Sequence, residues 1–190
     1  MGATSAMYDG PWKSLPDSNP LEWPTHHGET TIADVARRMI DEHAISARDS
    51  IIGSSLGGIV ALEIHRFLTL NQVILVGSAV SRAEINGLLL GLAPLAQITP
   101  LKFIQVLAGK TPTLMSSMFA EVDSDFIKAM CGAVAQWEGY TGSKERISRI
   151  HGDQDLIIAC PADAHVIAGG GHLIAITHSE DCVRLIEELQ

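Results

Sequence analysis

Residues 50–58 read Ser50-Ile51-Ile52-Gly53-Ser54-Ser55-Leu56-Gly57-Gly58 and decide the fold of this 190-residue chain. The isoleucines predict a short buried strand, and dense apolar residues over 57–68 predict a buried helix directly after it. So tight a turn strains its central residue, Ser55, and holds its hydroxyl at the positive end of the helix. The N–H of Leu56 lies beside it, where a developing oxyanion could be bound. The alternative is a Gly/Ser-rich turn, which is common in α/β proteins.

Outward from this unit, strand-like and helix-like runs alternate along the chain. Further strands are predicted at 73–76, 148–150 and 164–167, and further helices at 31–43, 123–137 and 180–189. Alternation of this kind favours an α/β fold with a mainly parallel sheet. In the proline-rich first thirty residues, the pattern leaves room for a helical turn at 12–15 and a short strand at 21–23.

The composition excludes several classes of protein. A net charge of −9 argues against a nucleic-acid partner, which would need clustered Lys and Arg. No run reaches about 18 apolar residues and no signal peptide is visible, so we expect neither a membrane span nor export, and a cytoplasmic location by default. The three cysteines include no C-x-x-C pair and the eight histidines no H-x-x-x-H spacing, so we expect reduced thiols and no metal site.

A serine hydroxyl needs a base, and usually a carboxylate, to become a nucleophile, and both follow in the chain. The segment Ile150-His151-Gly152-Asp153-Gln154-Asp155 follows the third predicted strand, and Gly169-Gly170-Gly171-His172 follows the fourth. Carboxyl ends of parallel strands meet at one sheet edge, where such folds place their sites. Taken singly, Asp155 could cap a turn and His172 could be a core histidine. Together with Ser55 they predict a catalytic triad in the order Ser, Asp, His.

At these motifs, Gly53–Gly58, His151–Asp155 and Gly171-His172, the chain resembles the α/β-hydrolase family, and weakly from about Gly2 to Leu189. The resemblance implies a three-layer fold with a mainly parallel sheet of five to six strands, helices on both faces and a small helical lid. It implies one domain over 1–190, with the lid at about 83–120, an apolar stretch broken by Gly and Pro.

The same resemblance assigns the site residues. It makes Asp155, rather than Asp153, the triad acid, because the acid is the last Asp of an H-G-x-x-D segment. It makes His172, rather than His178, the base, and leaves His151 a structural residue. A serine at the turn disfavours the dehalogenase branch, which has an aspartate there.

The oxyanion site departs from the family pattern. Family members usually begin with two or three further strands and carry an H-G segment after the third, whose backbone N–H completes the oxyanion hole. This chain begins close to that point, so the resemblance implies that the N–H of Ala3 or Thr4 joins that of Leu56.

The expected function is that of a serine hydrolase acting on an ester, thioester or similar acyl bond of a small molecule, without a cofactor or metal. Acyl transfer by the same triad and a catalytically weak binding or scaffold protein are the alternatives. The apolar lid suits an acyl or aryl group but equally suits packing against the domain, and, if exposed, it could pair two subunits as a homodimer.

Overall fold

The fold is that of a computed structural model, which describes residues 4–86 and 123–190. In this part of the chain four parallel strands lie side by side in chain order: β1 Ser50–Ser54, β2 Gln72–Val76, β3 Ile147–Gly152 and β4 His165–Ile167. Ser54 is level with Val76, and Val76 is level with Ile150. The carboxyl ends of the strands therefore meet at one edge of the sheet. The predicted parallel sheet is confirmed, with four described strands where five to six were expected.

Helices cover both faces of this sheet. On one face pack α1 (Ile32–His43), α2 (Leu56–Leu68) and α3 (Ser124–Gln136). On the other face pack the single-turn α4 (Ile174–Thr177) and α5 (Ser179–Leu189). This arrangement confirms the predicted three-layer α/β fold.

The second strand shows why the sheet is buried on both sides. Val73 and Leu75 of β2 belong to the apolar cluster under α1 and α2, whereas Ile74 and Val76 belong to the cluster under α5. All four side chains are at most 1% exposed. A strand that contributes to two cores needs apolar residues at every position, which is why β2 is an unbroken apolar run.

The predicted helices form at the predicted places, to within a residue or two. Thr31 caps α1, because its side chain accepts a hydrogen bond from the backbone N–H of Asp34 at 3.1 Å. None of the helices within residues 4–86 and 123–190 is long and apolar enough to cross a membrane. Of the predicted lid at 83–120 only 83–86 are described, so the lid and the homodimer proposed through it lie outside the described residues.

The N-terminal segment differs from the prediction. The strand expected at 21–23 is wrong: this stretch is irregular backbone, because Pro20 and Pro24 flank it and prolines donate no ladder hydrogen bond. Its side chains Leu21 and Trp23 instead pack against the α1–α2 core. Among the described strands, β1 therefore pairs on one side only, with β2.

Two 3₁₀ turns, Ser5–Tyr8 and Gly10–Ser14, precede this irregular stretch. Trp12 anchors them: it is 4% exposed and its indole N–H donates to the carbonyl of Ala175 in α4 at 2.8 Å. Tyr8 meets the Trp12 ring edge-on at 5.1 Å. The segment thereby lies across α4 and α5, next to the edge where the strands end.

Candidate active site

Ser55 alone joins β1 to α2, and its backbone is strained as the sequence predicted. Its φ of 51° and ψ of −119° lie in a region that L-residues rarely adopt. The turn is locked by the backbone: the Ser55 N–H donates to the carbonyl of Val76 at 3.2 Å, and the Ser78 hydroxyl donates to the Ser55 carbonyl at 2.7 Å. The serine side chain is consequently presented at the N-terminus of α2.

A glycine is required at position 53 for this turn to close. A Cβ atom on Gly53 would lie 2.5 Å from the backbone oxygen of Gly57, nearer than such atoms approach in proteins. At Gly58 a Cβ would lie 2.4 Å from the Ser78 hydroxyl. Strand and helix can pack this closely only without side chains at these two positions.

The three residues predicted as a triad form one chain of hydrogen bonds. The Ser55 Oγ lies 2.9 Å from His172 Nε2, although the two residues are 117 positions apart in the sequence. His172 Nδ1 lies 2.9 Å from Oδ2 of Asp155. Since a carboxylate only accepts, Nδ1 carries the proton, and Nε2 is left free to accept the hydroxyl proton of Ser55.

Asp155 is held as an ionised carboxylate. Its Oδ1 accepts the backbone N–H groups of Ile157 at 2.8 Å and Ile158 at 3.0 Å, and its side chain is buried. Burial by itself would raise the pKa of Asp155, but hydrogen bonds from His151, His172 and the Ile158 backbone outweigh it and hold the pKa well below its usual range. The acid is therefore negatively charged at neutral pH.

His151 also contacts this carboxylate, which the sequence analysis missed by treating it as structural. Its Nε2 lies 3.0 Å from Asp155 Oδ2 and 3.0 Å from the carbonyl of Ile158. The available signal was the H-G-x-x-D spacing itself, because four residues separate His151 from Asp155 across the turn that ends β3.

A close backbone contact brings the loop of His172 to the end of β3. A Cβ atom on Gly152 would lie 2.1 Å from the backbone oxygen of Gly170. The Gly170 carbonyl also accepts the N–H of Gln154 at 2.9 Å. The loops that carry Asp155 and His172 are thus fixed to each other by backbone contact as well as by the hydrogen bond between the two side chains.

A cavity of about 480 Å³ opens beside Ser55 and His172. Thr4 and Leu56 lie in its wall, which brings two of the three predicted oxyanion donors to the same space; the third, Ala3, lies outside the described residues. The remaining wall is largely apolar and includes Met7, Tyr8, Leu21, Trp23, Ile51, Ile52, Val60, Ile64, Ile127 and Ile176.

Tyr8 fixes the N-terminal segment to the reactive turn. Burial raises the pKa of the Tyr8 hydroxyl to about 12, and a hydrogen bond from the backbone of Ser54 opposes the rise.

Within the described residues, no group of three His, Cys, Asp or Glu side chains is arranged to hold a metal ion.

Comparisons with known proteins identify relatives by structure only: no protein-family model matches the chain, and no curated protein matches it in sequence. A crystal structure of the N-acyl homoserine lactonase AidH with N-butanoyl homoserine is similar at a TM-score of 0.73 and 13% identity, over 99% of this chain and 85% of that one. A lipase-esterase related protein from Clostridium acetobutylicum gives 0.76 and 13%, over 98% and 90%. ClbQ, from the colibactin NRPS/PKS pathway, gives 0.63 and 20%, over 98% and 92%.

Proposed function

From the premise that this chain has the α/β-hydrolase fold, we propose that it is a serine hydrolase that cleaves a carboxylic ester, thioester or similar acyl bond of a small molecule. Ser55 is the nucleophile, His172 the general base and then acid, and Asp155 the residue that orients the imidazole. One observation carries the proposal: an unbroken hydrogen-bond chain from Ser55 Oγ through His172 to Asp155, starting at a strained residue on a helix N-terminus.

In the first half of the reaction, Ser55 Oγ attacks the acyl carbon while His172 Nε2 takes its proton. The 2.9 Å separation of these two atoms is within the reach that proton transfer requires. The tetrahedral oxyanion is bound by the N–H of Leu56, helped by the N-terminal end of α2. His172 then protonates the leaving group, and an acyl-serine remains.

In the second half, water attacks the acyl carbon while His172 takes its proton. The bond to Ser55 Oγ then breaks, the acid leaves, and His172 returns the proton to the serine. Asp155 stabilises the imidazolium in both halves and keeps its proton on Nδ1, without taking a proton itself. As the second oxyanion donor we propose the backbone N–H of Ala3 or Thr4, supported by the place of Thr4 in the cavity wall. No other group is needed to balance the reaction.

The cavity supports an apolar acyl group as the part of the substrate that is recognised. Its wall is dominated by aliphatic and aromatic side chains, and burial of apolar surface is the main source of affinity in such pockets. The similar structures include esterases and a lactonase. We propose an ester or cyclic ester of a small apolar acid as the substrate class.

Labelling with a fluorophosphonate probe tests the nucleophile. We expect the folded wild type to label stoichiometrically on the peptide that contains Ser55, Ser55→Ala to remain unlabelled, and His172→Ala to label about 10⁴-fold more slowly, because the hydroxyl has lost its base. Ser54→Ala is the matched control, since it removes the neighbouring hydroxyl and is expected to label like the wild type. A folded wild type that does not label would favour the binding or scaffold alternative.

Turnover in ¹⁸O-labelled water separates hydrolysis from acyl transfer. With a series of p-nitrophenyl esters, we expect one ¹⁸O atom in the released acid, because water attacks the acyl-serine. Release of p-nitrophenol that requires an added nucleophilic acceptor, with the acyl group recovered on that acceptor and no ¹⁸O-labelled acid, would instead indicate an acyltransferase with the same triad.

A further inference from the structure

The carboxylate of Asp155 accepts four hydrogen bonds, of which only the one from His172 belongs to the proposed triad. Oδ1 accepts two backbone N–H groups, from Ile157 and Ile158, and Oδ2 accepts from two imidazoles, those of His151 and His172. Two imidazoles on one oxygen divide its charge between them. The triad does not account for the hydrogen bond from His151.

The environment of His151 fixes its tautomer. Its Nε2 faces a carboxylate oxygen and the Ile158 carbonyl oxygen, both of which only accept, so Nε2 carries the proton. Nδ1 is buried and has no hydrogen-bond partner among the described residues. A second proton on Nδ1 would lie in the interior without an acceptor, at a high desolvation cost. His151 therefore contacts Asp155 as a donor, through Nε2.

Its contacts also close a small ring around the acid. The His151 N–H is shared between Asp155 and the carbonyl of Ile158, while the N–H of Ile158 donates back to Asp155. The side chain of His151 is only 1% exposed, at the end of the well-registered strand β3. This ring holds the plane of the carboxylate against the loop, so that Oδ2 points at His172.

We propose that His151 is a positioning residue that orients Asp155 and, by sharing its Oδ2, reduces the negative charge that this oxygen offers to His172. The inference rests on the proposed function, for which His172 is the base. Each hydrogen bond to a carboxylate oxygen reduces the charge that the oxygen offers to its other partners. Removal of the His151 donor should therefore strengthen the interaction of Asp155 with the imidazole of His172.

The charged groups around this pair do not supply the same effect. Arg149, two residues earlier on β3, is paired with Glu84 at 2.7 Å and Asp163 at 3.3 Å. Asp153 accepts the backbone N–H of Gly169 at 2.7 Å. Burial, followed by the charge of Asp153, raises the pKa of the nearby Cys160 thiol, so that it stays neutral. His151, in contrast to these groups, contacts Asp155 directly.

The test compares two substitutions of His151 by a measurement that needs no substrate. His151→Phe keeps the ring and removes the donor, whereas His151→Gln places an amide N–H near the position of Nε2. The pKa of His172 is read from its imidazole chemical shifts as the pH is varied, in the wild type and both variants. His165→Gln, an exposed histidine of the neighbouring strand, is the control for loss of a histidine.

We expect His151→Phe to raise the pKa of His172 by about one pH unit and His151→Gln to stay within about 0.3 of the wild type. The acid limb of kcat/KM should move with it. If His151→Phe and His151→Gln leave the pKa of His172 unchanged and differ only in melting temperature, His151 is structural and the inference is wrong.

If the wild type fails to label with fluorophosphonate, the proposed function fails, while the His172 titration still decides the role of His151. Should His151→Phe not fold, His151→Gln against His151→Asn, whose shorter amide falls short of Oδ2, gives the same comparison.

Discussion

The proposed relay side of the site and its proposed oxyanion side rest on different kinds of structure. The relay side consists of His151, Asp155, His172 and Ser55, and the oxyanion side of Leu56 with residues 4–15. The residues of the relay side lie at or after the carboxyl ends of β1, β3 and β4, and the register of a parallel sheet fixes those ends relative to one another. Four side-chain hydrogen bonds at 2.9–3.0 Å then connect them and the Ile158 carbonyl.

On the oxyanion side, only the N–H of Leu56 is fixed by regular structure. The N-terminal segment is made of two short 3₁₀ turns and depends on a few anchors, chiefly the indole of Trp12 and a bond from the Ser5 N–H to Glu22 at 3.0 Å that is exposed to solvent. This difference indicates that the parallel sheet fixes the positions of the relay side chains, whereas local packing fixes the oxyanion side. Substitutions should therefore affect the two sides differently.

The largest effect should come from the relay itself. Asp155→Asn keeps the size of the side chain but offers no carboxylate to the imidazole, so His172 loses both its tautomer and the stabilisation of its charge. We expect kcat to fall about 10⁴-fold with a nearly unchanged KM, measured with a p-nitrophenyl ester. A loss of less than tenfold would show that the oxyanion side carries most of the catalysis, and would reverse the comparison.

Backbone contact within the relay side should come next. A methyl group at Gly152 would meet the carbonyl of Gly170 at 2.1 Å, so Gly152→Ala must push the loop of His172 away from the loop of Asp155. We expect unfolding free energy to fall by about 3 kcal/mol and activity to fall with it, measured by urea denaturation and ester turnover. Gly132→Ala is the control: it has open space in α3, where alanine is the better helix former, and should be neutral or stabilising.

Acidification should remove the stability that the ionised carboxylate of Asp155 contributes. The folded pKa of Asp155 is depressed, so this group contributes stability above its unfolded pKa of about 3.9, and that stability is lost as the pH falls through the folded value. We expect the wild type to be more stable than Asp155→Asn at pH 7, with the difference shrinking below about pH 5 in urea denaturation. A difference that does not change with pH would mean that the carboxylate is not preferentially stabilised in the folded state.

The sequence could name candidates for the proposed relay side, because a proton relay consists of side chains and these follow strand ends. A serine, an aspartate and a histidine in this order indicate a proton relay, here Ser55, Asp155 and His172. The apolar runs before them indicate the strands that they follow. The register that brings Ser55 and His172 within 2.9 Å could not be derived from local patterns, since it depends on long-range pairing. The contact of His151 was missed because a buried histidine has the same pattern whether it packs or donates.

The oxyanion donors could be predicted less specifically than the relay residues, for a physical reason. An oxyanion hole is made of backbone N–H groups, and every residue except proline has one, so no residue type marks its place. Only the Leu56 donor could be inferred, from its position after the turn. The strand expected at 21–23 failed because the apolar pattern of Leu21 and Trp23 also suits irregular backbone packed on a core, and the flanking prolines favour the latter.

The anchor of the N-terminal segment should affect catalysis more than its cost in stability suggests. Trp12→Phe keeps an aromatic ring but leaves the buried Ala175 carbonyl without its 2.8 Å donor, for a loss of about 1–3 kcal/mol. If residues 4–15 hold an oxyanion donor, kcat should also fall several-fold at constant pKa of the acid limb, because the relay is untouched. Fluorophosphonate labelling measures the reactivity of Ser55, and a pH–rate profile measures kcat and the pKa of the acid limb. A loss of stability without a fall in kcat would show that this segment supplies no oxyanion donor.

The smallest effect should be found at the cap of α1, which supplies the control for the Trp12 result. Thr31→Ala removes the hydrogen bond that the Thr31 hydroxyl accepts from the Asp34 N–H at 3.1 Å, at a cost of about 1 kcal/mol. Thr31 contributes to neither side of the site, so kcat and the pH–rate profile should stay at wild-type values while the urea midpoint falls. An equal loss of activity in Thr31→Ala and Trp12→Phe would mean that activity simply follows global stability, and the separation of the two sides would not hold. Activity lost in Trp12→Phe but kept in Thr31→Ala, at similar stability, would locate the weakness of the site in the N-terminal segment.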